Sequence, residues 1–410
     1  MSGKILDGIV VLDLTRFLSG PQCTLLLAGL GAEVIKIDDP ATGDPTVGAP
    51  PFVGLHGISF SRQSDADYGI AYLKRARGKR SAALDLKHPA GHALFLDLVK
   101  KADVLVENFR VGVTQRLGID YDALQKLNER LVYCSLTGYG SSGPDCQLKA
   151  YDLMVQAATG FMSITGAPGS GPLKAGSPLS DTIAGSVAAL GVVSALFQRE
   201  RTGNGQFVDV SMADCLLSMI FDEPLDCYAQ LNLEPQQGNR IMRFSPFNTY
   251  RTSDGWIAIG AATNAEWMAL LDVMDRADLK THSDWSRVGW RIENNPSVDA
   301  LIGDWAQQFT TEALLQKLVP KDVPCSPVRS VSDVLRWPQV QARGALVNLQ
   351  CPDGHTTSVV GPGFPLKFSK ADTRYDLPAP IPGEHTAEIL GRFLGIEANQ
   401  FEKLRAARVV

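Results

Sequence analysis

The chain has 410 residues, 45% of them hydrophobic and 20% charged, a composition that suits a globular protein with room for two domains. A net charge of −5 with no Lys/Arg block excludes the electrostatic footprint of a nucleic-acid binder, so small-molecule partners are expected. Seven cysteines without a CxxC pair and six scattered histidines without an HExxH pattern argue against a disulfide framework and against a metal site. The cysteines are expected to be reduced.

The opening "MSGKILDGIVVLDLTRF" carries Asp7 and Asp13, which interrupt its apolar run before signal-peptide or membrane-span length. A cytoplasmic protein with no membrane partner is expected. "IVVLDL" (9–14) reads as a strand, "PQCTLLLAGLGA" (21–32) as a helix begun by proline, and "EVIKID" (33–38) as a second strand. The glycines of "AGLGAEV" mark the helix-to-strand turn. "TRFLSGP" follows the first strand where a nicotinamide enzyme needs GxGxxG, which disfavours dehydrogenase chemistry.

A helix at 89–101, a strand at 103–109, a helix around 120–128 and a strand at 131–136 continue the alternation. Repeated βα units predict an α/β fold, with a doubly wound, mostly parallel, Rossmann-like large domain over 1–202. Ligands gather at the carboxyl ends of such strands, here "TRFLSGP", "DDPATGDP", "ENFRVG" and "TGYGSSG".

Asp181, in "KAGSPLSDTIAG" (174–185), precedes a long apolar helix. It could cap that helix by accepting its first amides, or serve as a nucleophile at the helix N-terminus with Gly176, Ser177 and Ser180 leaving room for a substrate. Local physics leaves both readings open. A second carboxylate, Asp152, stands beside Tyr151 and close to Lys149.

The helical pattern breaks at "RTGNGQ", resumes, and turns polar, so 203–244 reads as a linker. A smaller α+β domain is expected over 245–328, with a hairpin at Asp254-Gly255 and a helix at 265–274. Residues 329–410 look too few to fold alone and are expected to return to the large domain.

Six segments, in order, resemble family III CoA-transferases, the CaiB/BaiF group that contains formyl-CoA transferase and carnitine CoA-transferase and shares its fold with α-methylacyl-CoA racemase. They are "LDGIVVLDLTRFLSGPQCTLLLAGLGAEVIKIDDPATGDP", "GKRSAALDLKHPAGHALFLDLVKKADVLVENFRVGVTQRLGIDYDAL", "LVYCSLTGYGSSGP", "YDLMVQAATGFMSITG", "RTGNGQFVDVSMADCLL" and "PGEHTAEIL".

The resemblance implies that Asp181 is the nucleophile of a CoA transfer from an acyl-CoA donor to a small carboxylic acid, through an acyl-aspartyl anhydride and an aspartyl-CoA thioester. It implies CoA thioesters as substrates with no tightly bound cofactor. Lys87, Arg116 and Lys149 are implied as phosphate partners, and Leu84, Asn108, Phe109 and Tyr151 as contacts to adenine or pantetheine. An interlocked homodimer is implied as well.

Two departures stand out. Asp39 occupies a place where formyl-CoA transferase carries an arginine, with Arg75 or Arg77 as candidate substitutes. The glycine-rich loop that covers the site in formyl-CoA transferase has no counterpart in "QQGNRIMRFSPFN". The alternative, an acyl-CoA racemase, needs two bases. Racemases carry histidine before the acid at position 152, where this chain has Tyr151. For a second carboxylate on the substrate, Arg16, Arg240 and Arg243 are the candidates.

Overall fold

A computed structural model describes residues 3–375 and 377–410. The chain divides into two compact units. One comprises the chain up to Phe161 with Ala175–Glu223 and Pro338–Val410; the other comprises Met162–Lys174 and Pro224–Trp337.

The first unit is built on six strands: β1 (Val10–Asp13), β2 (Glu33–Asp38), β3 (Arg80–Ala83), β4 (Val104–Glu107), β5 (Val132–Thr137) and β6 (Phe207–Ser211). All neighbours are parallel, in the order β3-β2-β1-β4-β5-β6. The order reverses between β1 and β4, and the crevice beyond the carboxyl ends of those two strands is where such sheets bind ligands.

Alternation along β1 explains the layering. Leu12 and Leu14 join Phe95, Leu98, Ile389 and Leu390 in one core. Asp13 points the other way, towards helix α1 (Ser19–Gly29), whose Thr24 hydroxyl donates to it at 2.7 Å. Helix α2 (Asp152–Ala158) and the long helix α3 (Leu179–Thr202) follow, and α3 packs on α1, β5 and β6. Among the described residues α3 is the one helix long and apolar enough to cross a bilayer. Here it serves as a core helix: its Ala/Gly face is buried and its Arg199 pairs with Asp103 at 2.9 Å.

Several expectations need correction. Residues 207–220, read as part of a linker, form β6 and a helix, Met212–Ile220, inside the sheet unit; Ser211 caps that helix by accepting from the Asp214 amide at 3.1 Å. The helix expected around 120–128 is a single turn, Tyr121–Leu124, begun by the Asp120 side chain. Strand β3 was not expected, because "RSAA" has little β propensity; it is held by pairing with β2.

In the second unit Phe247–Arg251 and Trp256–Gly260 form the antiparallel hairpin at Asp254-Gly255, and Cys325–Pro327 adds a third strand. Its core centres on the fully buried Trp267 of the helix Asn264–Val273.

Candidate active site

At the reversal of strand order the loops after β1 and β4 hold each other. The Arg16 amide donates to Asn108 Oδ1 and Asn108 Nδ2 donates to the Arg16 carbonyl, both at 2.9 Å. Below them Asp13 fixes Thr15 through the Thr15 amide at 2.9 Å, and Lys36 Nζ donates to the Thr15 carbonyl at 2.9 Å. Lys36 is itself paired with Asp44 at 2.8 Å, and Lys79 with Asp13 at 3.0 Å, all fully inside. The next residue but one, Phe17, is driven into the left-handed region at φ 67, and its carbonyl accepts from Arg75 Nη1 at 2.6 Å. Such a conformation persists only where the surroundings over-determine it, as they do here.

The loop delivers Ser19 to Asp181. Gly185 lies one turn after Asp181 on α3, where a Cβ would stand 2.5 Å from the Ser19 carbonyl and 2.8 Å from Gln22 Cβ. Only glycine lets α3 approach α1 this closely, and Ser19 lines the same cavity as Asp181, where its hydroxyl favours the ionised carboxylate.

Asp181 is not the helix cap. Helix α3 starts at Leu179 behind Pro178, so Asp181 is its third residue, and the Ser180 amide is taken by Asp152 Oδ1 at 2.9 Å. Asp152 also accepts from Ser180 Oγ at 2.7 Å and from Gln156 Nε2 at 2.6 Å. A carboxylate from another helix thus does the capping, and Asp181 is left for other work. Burial pushes the Asp181 pKa up to about 6, and the Asp152 charge adds to the rise; the Ser19 hydroxyl and the Arg75 guanidinium oppose it.

Asp181 lines a cavity of about 400 Å³ together with Arg16, Ser19, Asn108, Phe109, Lys149 and Tyr151. Among the described residues it is the one carboxylate there, and no histidine is present. Phe109 is held because its amide donates to Glu107 Oε2 at 2.7 Å, a buried carboxyl whose pKa burial raises to about 7. A second cavity, of about 240 Å³, shares Arg16 and Phe109 with the first and is lined by Leu84 and Lys87.

Six of the seven anticipated coenzyme contacts therefore gather around two adjoining cavities. Arg116 does not; it is exposed on the short helix Val113–Leu117, its guanidinium turned back towards Gly112. Gly176 and Ser177 do not line the Asp181 cavity either, and Ser180 is buried against Asp152. Sequence reasoning missed Ser19, whose only signal was its place in "TRFLSGP", and Gly185, which sits unmarked in an apolar helix.

The sequence profile of CoA-transferase family III matches residues 6–386. The chain belongs to this family. It is similar to the succinate–glutarate CoA-transferase of Agrobacterium fabrum, with 34% identity over 394 residues and 96% of each chain covered. It is also similar to the acetyl-CoA:oxalate CoA-transferase of Acetobacter aceti, with 36% identity over 395 residues and 96% of each chain covered. A crystal structure of a CAIB/BAIF family protein from Brucella suis superposes with a TM-score of 0.80 at 32% identity, covering 95% of this chain and 99% of that one. As a family III CoA-transferase the protein is an enzyme acting on CoA thioesters and carboxylic acids, and the cavity around Asp181 is its candidate active site.

Proposed function

We propose that this CoA-transferase works through covalent catalysis by Asp181. The observation that carries this reading is that Asp181 alone among the cavity's residues offers a carboxylate, while Asp152 is saturated with hydrogen bonds.

A carboxylate oxygen of Asp181 attacks the donor thioester carbonyl, and the C–S bond breaks to give an acyl-aspartyl anhydride and CoA thiolate. The thiolate attacks the aspartyl carbonyl, releasing the donor acid and leaving an aspartyl-CoA thioester. The acceptor carboxylate attacks that thioester to form a second anhydride, and the thiolate then takes the new acyl group, which restores Asp181. Partial burial makes the carboxylate more basic and so a better nucleophile than one in water. Leu84, Lys87, Asn108, Phe109, Lys149 and Tyr151 serve as coenzyme contacts, with the two lysines drawn to phosphate. CoA thioesters come and go as substrates, with no tightly bound cofactor and no metal.

Incubation with acyl-CoA donors followed by borohydride and peptide mass spectrometry should find Asp181 converted to the reduced residue expected from an aspartyl thioester. An untouched Asp181 across a broad donor panel would reject the mechanism. Proton transfer at the α-carbon, the racemase alternative, would instead show as deuterium uptake without an acceptor; the cavity's lack of a histidine favours transfer.

The acceptor is a dicarboxylic acid in this reading, as the names of both relatives suggest. Arg16 lies in the Asp181 cavity, its guanidinium 5.9 Å from the Phe109 ring, with no ion pair among the described residues. It is suited to the distal carboxylate. Arg240 is already paired with Asp299 at 2.7 Å. Arg16→Met should raise KM for a dicarboxylate far more than for a monocarboxylate; equal changes would remove the assignment.

The enzyme acts as a cytoplasmic homodimer in this reading. Leu190, Phe197, Met219 and Phe221 leave apolar surface exposed on α3 and the helix region after β6, which a second copy would cover. A monomer mass at micromolar concentration would reject the dimer.

A further inference from the structure

The Lys87 cavity does not end at Lys87. It shares Asp39, Asp85 and Lys87 with a third cavity, of about 420 Å³, whose far wall carries Arg405 and Arg408 from the C-terminal helix α4 (Ala398–Ala406) and the residues just after it. Three cavities thus join end to end from Asp181 to these arginines, the middle one sharing wall residues with each of the other two.

The acids in the third cavity are already engaged. Asp39 Oδ1 accepts from the Ala41 and Thr42 amides at 2.9 and 3.3 Å, and Asp85 Oδ1 accepts from the Lys87 amide at 2.9 Å. The cations are not: neither Lys87 nor Arg408 has a salt bridge among the described residues, and Arg405 meets Glu402 only at 3.8 Å, both side chains being exposed. The backbone aims Arg408. It sits at φ 57, in the left-handed region, and the following residue, Val409, is buried with its carbonyl accepting from the Asp85 amide at 2.9 Å. That bond ties the end of α4 to the loop after β3, the same loop that carries Lys87.

A CoA thioester has its reacting carbon at one end and a ribose 3′-phosphate at the other. With the thioester at Asp181, the opposite end of the ligand falls at the opposite end of the track. A phosphate monoester dianion calls for guanidinium groups presented together.

We propose that Arg405 and Arg408, with Lys87, bind the 3′-phosphate of CoA, so that the C-terminal helix forms part of the coenzyme site. The proposal rests on the reading of the Asp181 and Lys87 cavities as the CoA site. Neither Arg75, engaged with the Phe17 carbonyl, nor Arg77, buried against the carbonyls of Lys74 and Pro362, is placed for this task.

Isothermal titration of the full chain with CoA and with 3′-dephospho-CoA tests it, using wild type and an Arg405→Ala/Arg408→Gly double variant; alanine suits the helix and glycine the positive φ. Wild type should bind CoA at least about tenfold more tightly than 3′-dephospho-CoA. The double variant, which keeps Lys87, should lose most of that preference, with its thermal midpoint unchanged. A preference retained in full by the variant, or absent from wild type, would overturn the proposal alone. A wild type that binds neither ligand would overturn the coenzyme-site reading and the proposal with it.

Discussion

At the Asp181 end of the ligand track the polar groups hold one another: Asp152 accepts three hydrogen bonds, Asn108 bonds both the amide and the carbonyl of Arg16, and Lys36 joins Thr15 to Asp44. At the Lys87 end the cations stand in solvent on an exposed loop and a terminal helix. The first arrangement suits chemistry, where a carboxylate must be placed to a fraction of an ångström. The second suits capture of a highly charged ligand, which needs field more than precision. The two ends should therefore fail in different ways.

The largest effect is expected from Asp181→Asn, which keeps the shape and removes the nucleophile. Transfer should fall by about a thousandfold or more. The same change should stabilise the fold. The raised pKa means that the folded protein holds the Asp181 proton more tightly than the unfolded chain does, so this group's contribution to stability falls as pH rises from about 4 through about 6. Chemical denaturation should find Asp181→Asn more stable than wild type by roughly 2–3 kcal/mol at pH 7.5, discounted for the partial exposure of the group, and no different near pH 3.5.

Lys36→Met leaves Asp44 and the Thr15 carbonyl without their buried partner. Unfolding free energy should drop by about 3–5 kcal/mol, measured by urea titration. No comparable loss is expected from Lys87→Met, and an equal loss there would erase the distinction between the two ends.

Gly185→Ala should force α3 away from the Ser19 carbonyl and lower kcat by about 10- to 100-fold, while KM for CoA stays near wild type. Replacing the exposed Gly203, past the end of α3, tests nothing in the site and makes a poor control, because its φ of 81 also demands glycine.

The pH–rate profile of kcat/KM should rise with pH as Asp181 ionises, with its midpoint near 6. Ser19→Ala removes a hydroxyl that favours the carboxylate, so the midpoint should move up by about half a unit to one unit. A downward move would contradict the assigned contact. The smallest effect belongs to the other end: raising salt from 50 to 300 mM should weaken CoA binding severalfold through screening of the exposed cations and leave kcat unchanged.

The parallel βα pattern was legible because each buried strand is a short run of β-branched and leucine residues between turn signals; Glu33–Asp38 matches the expected strand residue for residue. The edge strands were harder. β3 is short and rich in alanine and is held by its neighbour β2, whereas β6 has strand-favouring Phe207, Val208 and Val210 but follows a glycine-rich turn that reads as a linker. In the site, Asp181 could be singled out from its small-residue surroundings and the family resemblance, whereas its freedom from capping duty could not. That freedom depends on Asp152, 28 residues from the amide it accepts.

Residue order alone was enough to specify the alternation of strands and helices, the carboxyl-edge loops, the Asp254-Gly255 hairpin and the family to which the chain belongs, because all of these are written in local periodicity or contiguous motifs. Other features required the folded chain: the contact of Ser19 with Asp181, the clearance at Gly185, the withdrawal of Arg116 from the ligand track and the arrival of Arg405 and Arg408 beside Lys87. These depend on distances between segments up to some three hundred residues apart. Such distances are set by sheet order, helix packing and buried ion pairs acting together, and no stretch of sequence carries them by itself.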